Sequence, residues 1–135
     1  MPTRTFSGRY KNLAKIAKFV RDVAKKAGFE PSQVYSLELA VDEACTNIIE
    51  HGYGGEGRGK IVCACDVSQR GLTITLKDWG QSFDPAAIPA PKYNVPLEKL
   101  QQRGAGLYLM KKVMDRVDYQ FDDKHGNQLT MFKKK

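Results

Sequence analysis

The chain has 135 residues, enough for one domain with a single core and too few for two. Its composition, 41% apolar and 10% aromatic, is ordinary for a globular protein, and no apolar run approaches the ~20 residues of a membrane span. Met1 to Tyr10 also lacks the apolar segment of a signal peptide, so a cytoplasmic location away from membranes is expected. The net charge of +7, from 22 basic and 15 acidic residues, raises the question of a nucleic-acid surface. No aromatic residues are interleaved with the charges as a stacking platform requires, so a solvated helix face and a basic tail are the simpler reading. No direct nucleic-acid contact is expected, and attraction to an acidic protein partner stays open.

In chain order, Thr3 to Tyr10 partly alternates and reads as a first strand. Leu13, Ile16, Val20, Val23 and Ala27 then recur at three- and four-residue steps, predicting an amphipathic helix that stops at Gly28, with Lys15, Lys18, Arg21, Lys25 and Lys26 on its other side. Pro31 after Glu30 opens a second, longer helix that runs to Gly52. Leu37, Ala40, Val41, Ala44 and Ile48 form its apolar stripe, and Leu39, Cys45 and Ile49 add apolar character on other sides, as a helix covered on more than one face needs. Gly-rich residues 53–59 read as a loop. Lys60 to Val67 and Leu72 to Asp78 alternate as a hairpin around Ser68-Gln69-Arg70-Gly71.

Residues 81–103 contain Pro85, Pro89, Pro91 and Pro96 with little periodicity, the size and character of a lid over a site. Leu107, Met110, Val113 and Met114 mark a third helix opening at Gly104–Gly106, and Val117 to Phe121 with Gln128 to Phe132 form a last hairpin. Cys45, Cys63 and Cys65 lack the spacing and second ligand pair of a metal site and are expected as buried thiols.

Three polar signals stand out from this background, and in this order they suggest an ATP site. Glu43 and Asn47 lie four apart on the second helix, so both side chains share one face, flanking the apolar stripe and bordering a cavity beneath the helix. Glu43 can take a proton from an attacking hydroxyl, and Asn47 can hold a magnesium ion that keeps most of its waters. Asp78 ends a strand two residues before Gly80, where a carboxylate can accept from the exocyclic amine of a purine while the glycine lets the base approach. Gly104-Ala105-Gly106 at a helix N-terminus offers free N–H groups to phosphate oxygens, with Arg103 beside it to neutralise a terminal phosphate. Each signal also has a plain structural reading: a helix Glu is usually solvated, and an Asn often caps or bonds locally. Asp42, Glu50 and His51 are read structurally.

The stretch from Glu43-Ala44-Cys45-Thr46-Asn47 to Tyr53, the stretch Asp78-Trp79-Gly80-Gln81-Ser82-Phe83-Asp84-Pro85 and the stretch Arg103-Gly104-Ala105-Gly106-Leu107-Tyr108-Leu109-Met110 resemble the N, G1 and G2 boxes of one ATPase superfamily. It joins gyrase, heat-shock chaperones, histidine kinases and mismatch-repair proteins, and the similarity is closest to the anti-sigma-factor serine kinases. The resemblance covers nearly the whole chain. It implies a two-layer α/β (α+β) sandwich of the Bergerat type in one histidine-kinase-like ATPase domain, residues 1–135, with helices on one face of a mixed, mostly antiparallel sheet.

By the same resemblance, Glu43 is the catalytic base, Asn47 the magnesium ligand and Asp78 the adenine acceptor. Gly80, Phe83, Gly104, Ala105, Gly106 and Leu107 contact the nucleotide, Arg103 approaches its terminal phosphate, and Thr130 on the last strand adds a contact to the base. Ser82 stands where the first glycine box usually has a second glycine, and the second box is one residue shorter than in many relatives.

The implied activity is phosphorylation of a serine on a small anti-sigma-factor antagonist, alternating with capture of a sigma factor, in a homodimer that uses ATP and Mg2+. The second reading is a nucleotide-dependent binding module without kinase activity. A detached histidine-kinase core fits less well, because no helical segment with a phospho-acceptor His precedes the ATP region.

Overall fold

The computed structural model describes residues 1–82, 106–122 and 124–135. Among these residues five strands form one sheet: β1 (Thr3–Ser7), β2 (Lys60–Val67), β3 (Gly71–Asp78), β4 (Arg116–Gln120) and β5 (Asn127–Lys134), in the spatial order β1-β2-β3-β5-β4. Among the described residues every pairing is antiparallel, so the sheet carries none of the parallel pairing that a mixed sheet would have. Among the described residues three helices, α1 (Leu13–Lys26), α2 (Pro31–Asn47) and α3 (Gly106–Val113), form the second layer, with α2 packed between α1 and α3. The two-layer α/β architecture read from the sequence is the one observed.

The helix boundaries follow from local chemistry. At the end of α1 the Gly28 N–H reaches the Lys25 carbonyl (3.1 Å) and the Phe29 N–H reaches the Ala24 carbonyl (3.2 Å). This pair of bonds requires a left-handed residue at Gly28, whose φ is +90°. At the start of α2, Glu30 and Gln33 form a reciprocal cap, the Glu30 N–H donating to Gln33 Oε1 at 3.0 Å, with Pro31 in the first helical position where its missing N–H costs nothing. The first strand ends at Ser7, shorter than expected. Asn12 Nδ2 donates to the Ser7 carbonyl and hydroxyl, both at 2.8 Å, and draws residues 10–12 into a single 3-10 turn.

Strand parity places the core. Ile61, Cys63 and Cys65 of β2, Leu72, Ile74 and Leu76 of β3, and Leu129 and Met131 of β5 all point to the helix side and are buried. They meet Ile16, Val20 and Ala24 of α1, Val34, Leu37, Ala40, Val41, Ala44 and Cys45 of α2, and Met110 beyond them. The three thiols are free and fully buried; burial pushes that of Cys45 upward, and the hydrogen bond with Cys65 followed by burial does the same to Cys63, away from the reactive thiolate. Asp78 continues the inward series 72, 74, 76, so β3 delivers a carboxylate to the helix side at its very end.

α2 does not stop at Asn47. Ile48–Gly52 continue as a π turn, in which the Tyr53 N–H bonds to the Ile48 carbonyl at 2.9 Å, five residues back. This wider turn lays Gly52 against the exit of β3. The Gln81 N–H donates to the Gly52 carbonyl at 2.7 Å, and a Cβ on Gly80 would stand 2.5 Å from the Gly52 carbonyl carbon. Backbone meets backbone there, and only a glycine fits. Tyr53 reinforces the junction: its hydroxyl donates to the Lys60 carbonyl (2.5 Å) and accepts from the Trp79 N–H (3.0 Å).

A Gly80→Ala substitution must push the end of α2 off β3, at the roughly 1–3 kcal/mol that overpacking costs. Thermal unfolding of the variant is expected several degrees below the parent. An unchanged midpoint would show that the junction is looser than described.

Candidate nucleotide site

Burial of polar side chains singles out one region. The buried polar or charged residues among those described are Asn12, Glu43, Asn47, Asp78 and Asn127. Asn12 is accounted for by its turn. The other four come from two places that the Gly52–Gly80 junction ties together: the last turns of α2, and the ends of β3 and β5.

Glu43 and Asn47 lie one turn apart on α2 and are only 8% and 7% exposed. Burial, followed by the nearby charges of Asp42 and Glu50, raises the Glu43 carboxyl to about 7, so it sits close to the point of gaining or losing a proton at neutral pH. Asp42 is also raised by burial. Glu50, one turn beyond Asn47, accepts from the Tyr10 hydroxyl at 3.2 Å. The Asn47 amide nitrogen is buried with no hydrogen-bond partner among the described residues. An orphaned amide end costs on the order of 1–3 kcal/mol, and a group that stays in place at that cost commonly serves a ligand.

Since oxygen and nitrogen of an amide exchange by a flip, the same side chain can present its oxygen to a cation. Its position fits a magnesium ion that takes a single protein ligand and completes its shell with water and phosphate. Among the described residues no group of three or more His, Cys, Asp or Glu side chains converges to hold an ion.

Asp78 is 1% exposed. Its Oδ1 accepts from the Gly80 N–H at 2.9 Å and from Asn127 Nδ2 at 3.2 Å. Burial raises this carboxyl, while the two donors pull it back down. Asn127 is the register partner of Asp78 across the β3–β5 ladder and also donates to the Gly80 carbonyl at 3.0 Å. Gly126 before it has φ +95°, and a Cβ there would stand 2.7 Å from the Asp78 carbonyl oxygen, so the turn into β5 presses on the same point.

Glu43, Asn47, Asp78 and Gly80 are thus brought to one end of the sheet. Gly106 and Leu107 open α3, while Phe83, Arg103, Gly104 and Ala105, together with residues 83–103 of the expected lid, lie outside the described residues.

Thr130 is placed differently from the expectation. It pairs with Thr75, well down the ladder from Asp78, and as the residue between Leu129 and Met131 it faces the side of the sheet opposite the described helices. There it lines a shallow groove with Thr73, Arg116 and Phe132. Strand alternation forbids it from sharing a face with Asp78. The β5 residue beside the carboxylate is Asn127, one residue before the strand expected from Gln128. Its signal was its parity with Leu129 and Met131.

The description "Histidine kinase-like ATPase domain" matches residues 6–133 of the chain. The chain belongs to the histidine kinase-like ATPase family. Within that family its relatives include the serine-protein kinase RsbW of Bacillus licheniformis, 33% identical over 116 residues, covering 82% of this chain and 71% of that protein. RsbW of Bacillus velezensis is 34% identical over 104 residues, covering 73% and 64%, and RsbW of Bacillus cereus is 33% identical over 105 residues, covering 75% and 65%. The chain spans about two thirds of the length of these relatives. Membership in a histidine kinase-like ATPase family implies the use of ATP, which agrees with the four buried polar groups gathered at one end of the sheet.

The raised Glu43 carboxyl gives a pH-dependent stability with a definite sign. The folded protein holds this proton up to about pH 7, whereas the unfolded chain releases it near 4.5, so the stability contributed by the protonated form is present below 4.5 and lost as pH rises to about 7. Glu43→Gln removes the titration. Its thermal midpoint without nucleotide should equal or exceed that of the parent at pH 8 and lose that advantage at pH 4.5. A variant less stable than the parent at pH 8 would contradict burial of an ionisable Glu43.

Proposed function

We propose that this chain is an ATP-dependent protein serine kinase of the anti-sigma-factor type, which phosphorylates a small antagonist protein and otherwise sequesters a sigma factor. The observation that carries the reading is a buried carboxylate, Glu43, poised near neutral pH one helical turn from a buried Asn47 whose amide nitrogen has no partner among the described residues. A module that merely binds nucleotide has no use for a general base, and holding one buried is costly.

In this reading Glu43 accepts the proton of the attacking serine hydroxyl as its oxygen bonds to the terminal phosphorus of ATP and ADP departs. Asn47 holds Mg2+, which offsets charge on the phosphates when bound. Asp78 accepts from the base amine, with Gly80 leaving room for the base. Gly104, Ala105, Gly106 and Leu107 supply phosphate contacts, Phe83 contacts the nucleotide, and Arg103 neutralises the terminal phosphate. The serine comes from the antagonist. A homodimer, a cytoplasmic location and a role in regulating transcription complete the proposal. The edge position of β1 supports pairing of two chains.

Incubation of the full chain with ATP, Mg2+ and a matching antagonist should yield phosphoserine. Glu43→Gln should lower the rate on the order of 10²–10⁴-fold, as loss of a general base does, with ATP affinity retained. In the parent, kcat/KM should rise with pH through an inflection near 7 that the variant lacks. Phosphorylation by Glu43→Gln at the parental rate would remove Glu43 as the base, and absence of any transfer with ATP bound would favour the binding-module alternative.

A further inference from the structure

The end of the sheet beside Asp78 carries a chain of hydrogen bonds in which every orientation is forced. The Gly80 carbonyl oxygen is an acceptor only, so the Asn127 atom facing it at 3.0 Å is the amide nitrogen. That nitrogen also donates to Asp78 Oδ1 at 3.2 Å, which uses its two hydrogens. The amide oxygen of Asn127 is therefore left facing Ser82 Oγ at 2.7 Å, and since an amide oxygen cannot donate, the Ser82 hydroxyl does. The order of donation runs from Ser82 to Asn127 to Asp78, at a residue only 1% exposed.

The effect on Asp78 is asymmetric. Oδ1 carries two donors, the Gly80 N–H and the Asn127 amide, while Oδ2 takes no hydrogen bond from the described residues. One oxygen is clamped, so the carboxylate cannot spin, and the other keeps its capacity to accept.

We propose that Asn127, oriented by Ser82, is the positioning residue that holds Asp78 with one oxygen directed to the 6-amino group of the base, and so sets the preference for adenine. The inference rests on the ATP reading of the site. It gives a role to Ser82, the position at which related boxes carry a second glycine: a side chain there reaches Asn127, and a glycine would leave the amide oxygen without that donor. The clamp also opposes guanine, whose 6-oxo group would bring acceptor against acceptor.

The two nucleotides that decide the matter are ATP and purine riboside 5′-triphosphate, identical except that the second lacks the 6-amino group. Calorimetric titration of the full chain with each, in Mg2+, gives a ratio of affinities. Asn127→Ala should lose on the order of 10- to 100-fold in ATP affinity, the worth of a hydrogen bond to a charged group, with purine riboside triphosphate affinity nearly unchanged, so that the ratio collapses. Ser82→Ala, in an irregular segment outside the core, should lower the same ratio by a smaller factor and have no further effect once Asn127 is Ala.

Equal loss of both nucleotides in Asn127→Ala, or a parental ratio in Ser82→Ala, overturns the proposal. Should Asn127→Ala fail to fold, Ser82→Ala decides by the same ratio. A parent chain that binds neither nucleotide would overturn the ATP reading itself, a result distinct from a parent that binds ATP and variants that keep its selectivity.

Discussion

The structure depends on one close approach, that of the Gly52 backbone to Gly80, closed by the hydrogen bond from the Gln81 N–H to the Gly52 carbonyl. α2 carries Glu43 and Asn47, and β3 carries Asp78, but a helix lying on a sheet fixes only the distance between layers. The junction adds the missing constraint by anchoring the end of α2 to the end of β3. The π turn at Ile48–Gly52 supplies the extra residue that makes the carbonyl reach, and the Tyr53 hydroxyl, bonded to both Lys60 and Trp79, keeps the following chain in place. The resulting site sits on regular elements held from both layers, which is the arrangement that keeps polar groups in a productive geometry.

Two buried carboxylates at one end of a sheet invite the question of why they do not behave alike. Burial raises both, and their neighbours then separate them. Asp78 has two donors on one oxygen, which offset part of the desolvation and hold it as an acceptor. Glu43 has the opposite company, since the charges of Asp42 and Glu50 add to the effect of burial and bring it to about 7. In the proposed function the first would hold the base and the second would move a proton. Divergent environments for paired acids are how a single fold assigns two roles.

Much of this was legible in the sequence because it rests on periodicity. The 3.6-residue stripe of Leu37, Ala40, Val41 and Ala44 and the alternation of Leu72, Ile74 and Leu76 determine which sides are inward, and Asp78 follows by parity. The cap at Pro31 and the stop at Gly28 are chemical signals of the same local kind. Thr130 shows what happens when parity is set aside: Leu129 and Met131 already required it to face away from the site.

Other features were out of reach because they depend on what meets what. The partnership of Asn127 with Asp78 is a matter of strand register, which no single strand encodes. The π turn and the Gly52–Gly80 approach depend on packing between layers, and the sequence marks them only as two glycines far apart in the chain. The resemblance to the kinase family located the boxes but could not show Ser82 and Asn127 bonded to each other.

The most direct test of the convergence of α2 and β3 on one nucleotide site is amide hydrogen exchange of the full chain with and without ATP and Mg2+. The account predicts that nucleotide slows exchange together in residues 43–53 and in residues 78–82, segments that share no strand or helix but meet at the Gly52–Gly80 junction. Slowing in only one of the two segments, or around Thr130 on the opposite face of the sheet, would contradict it.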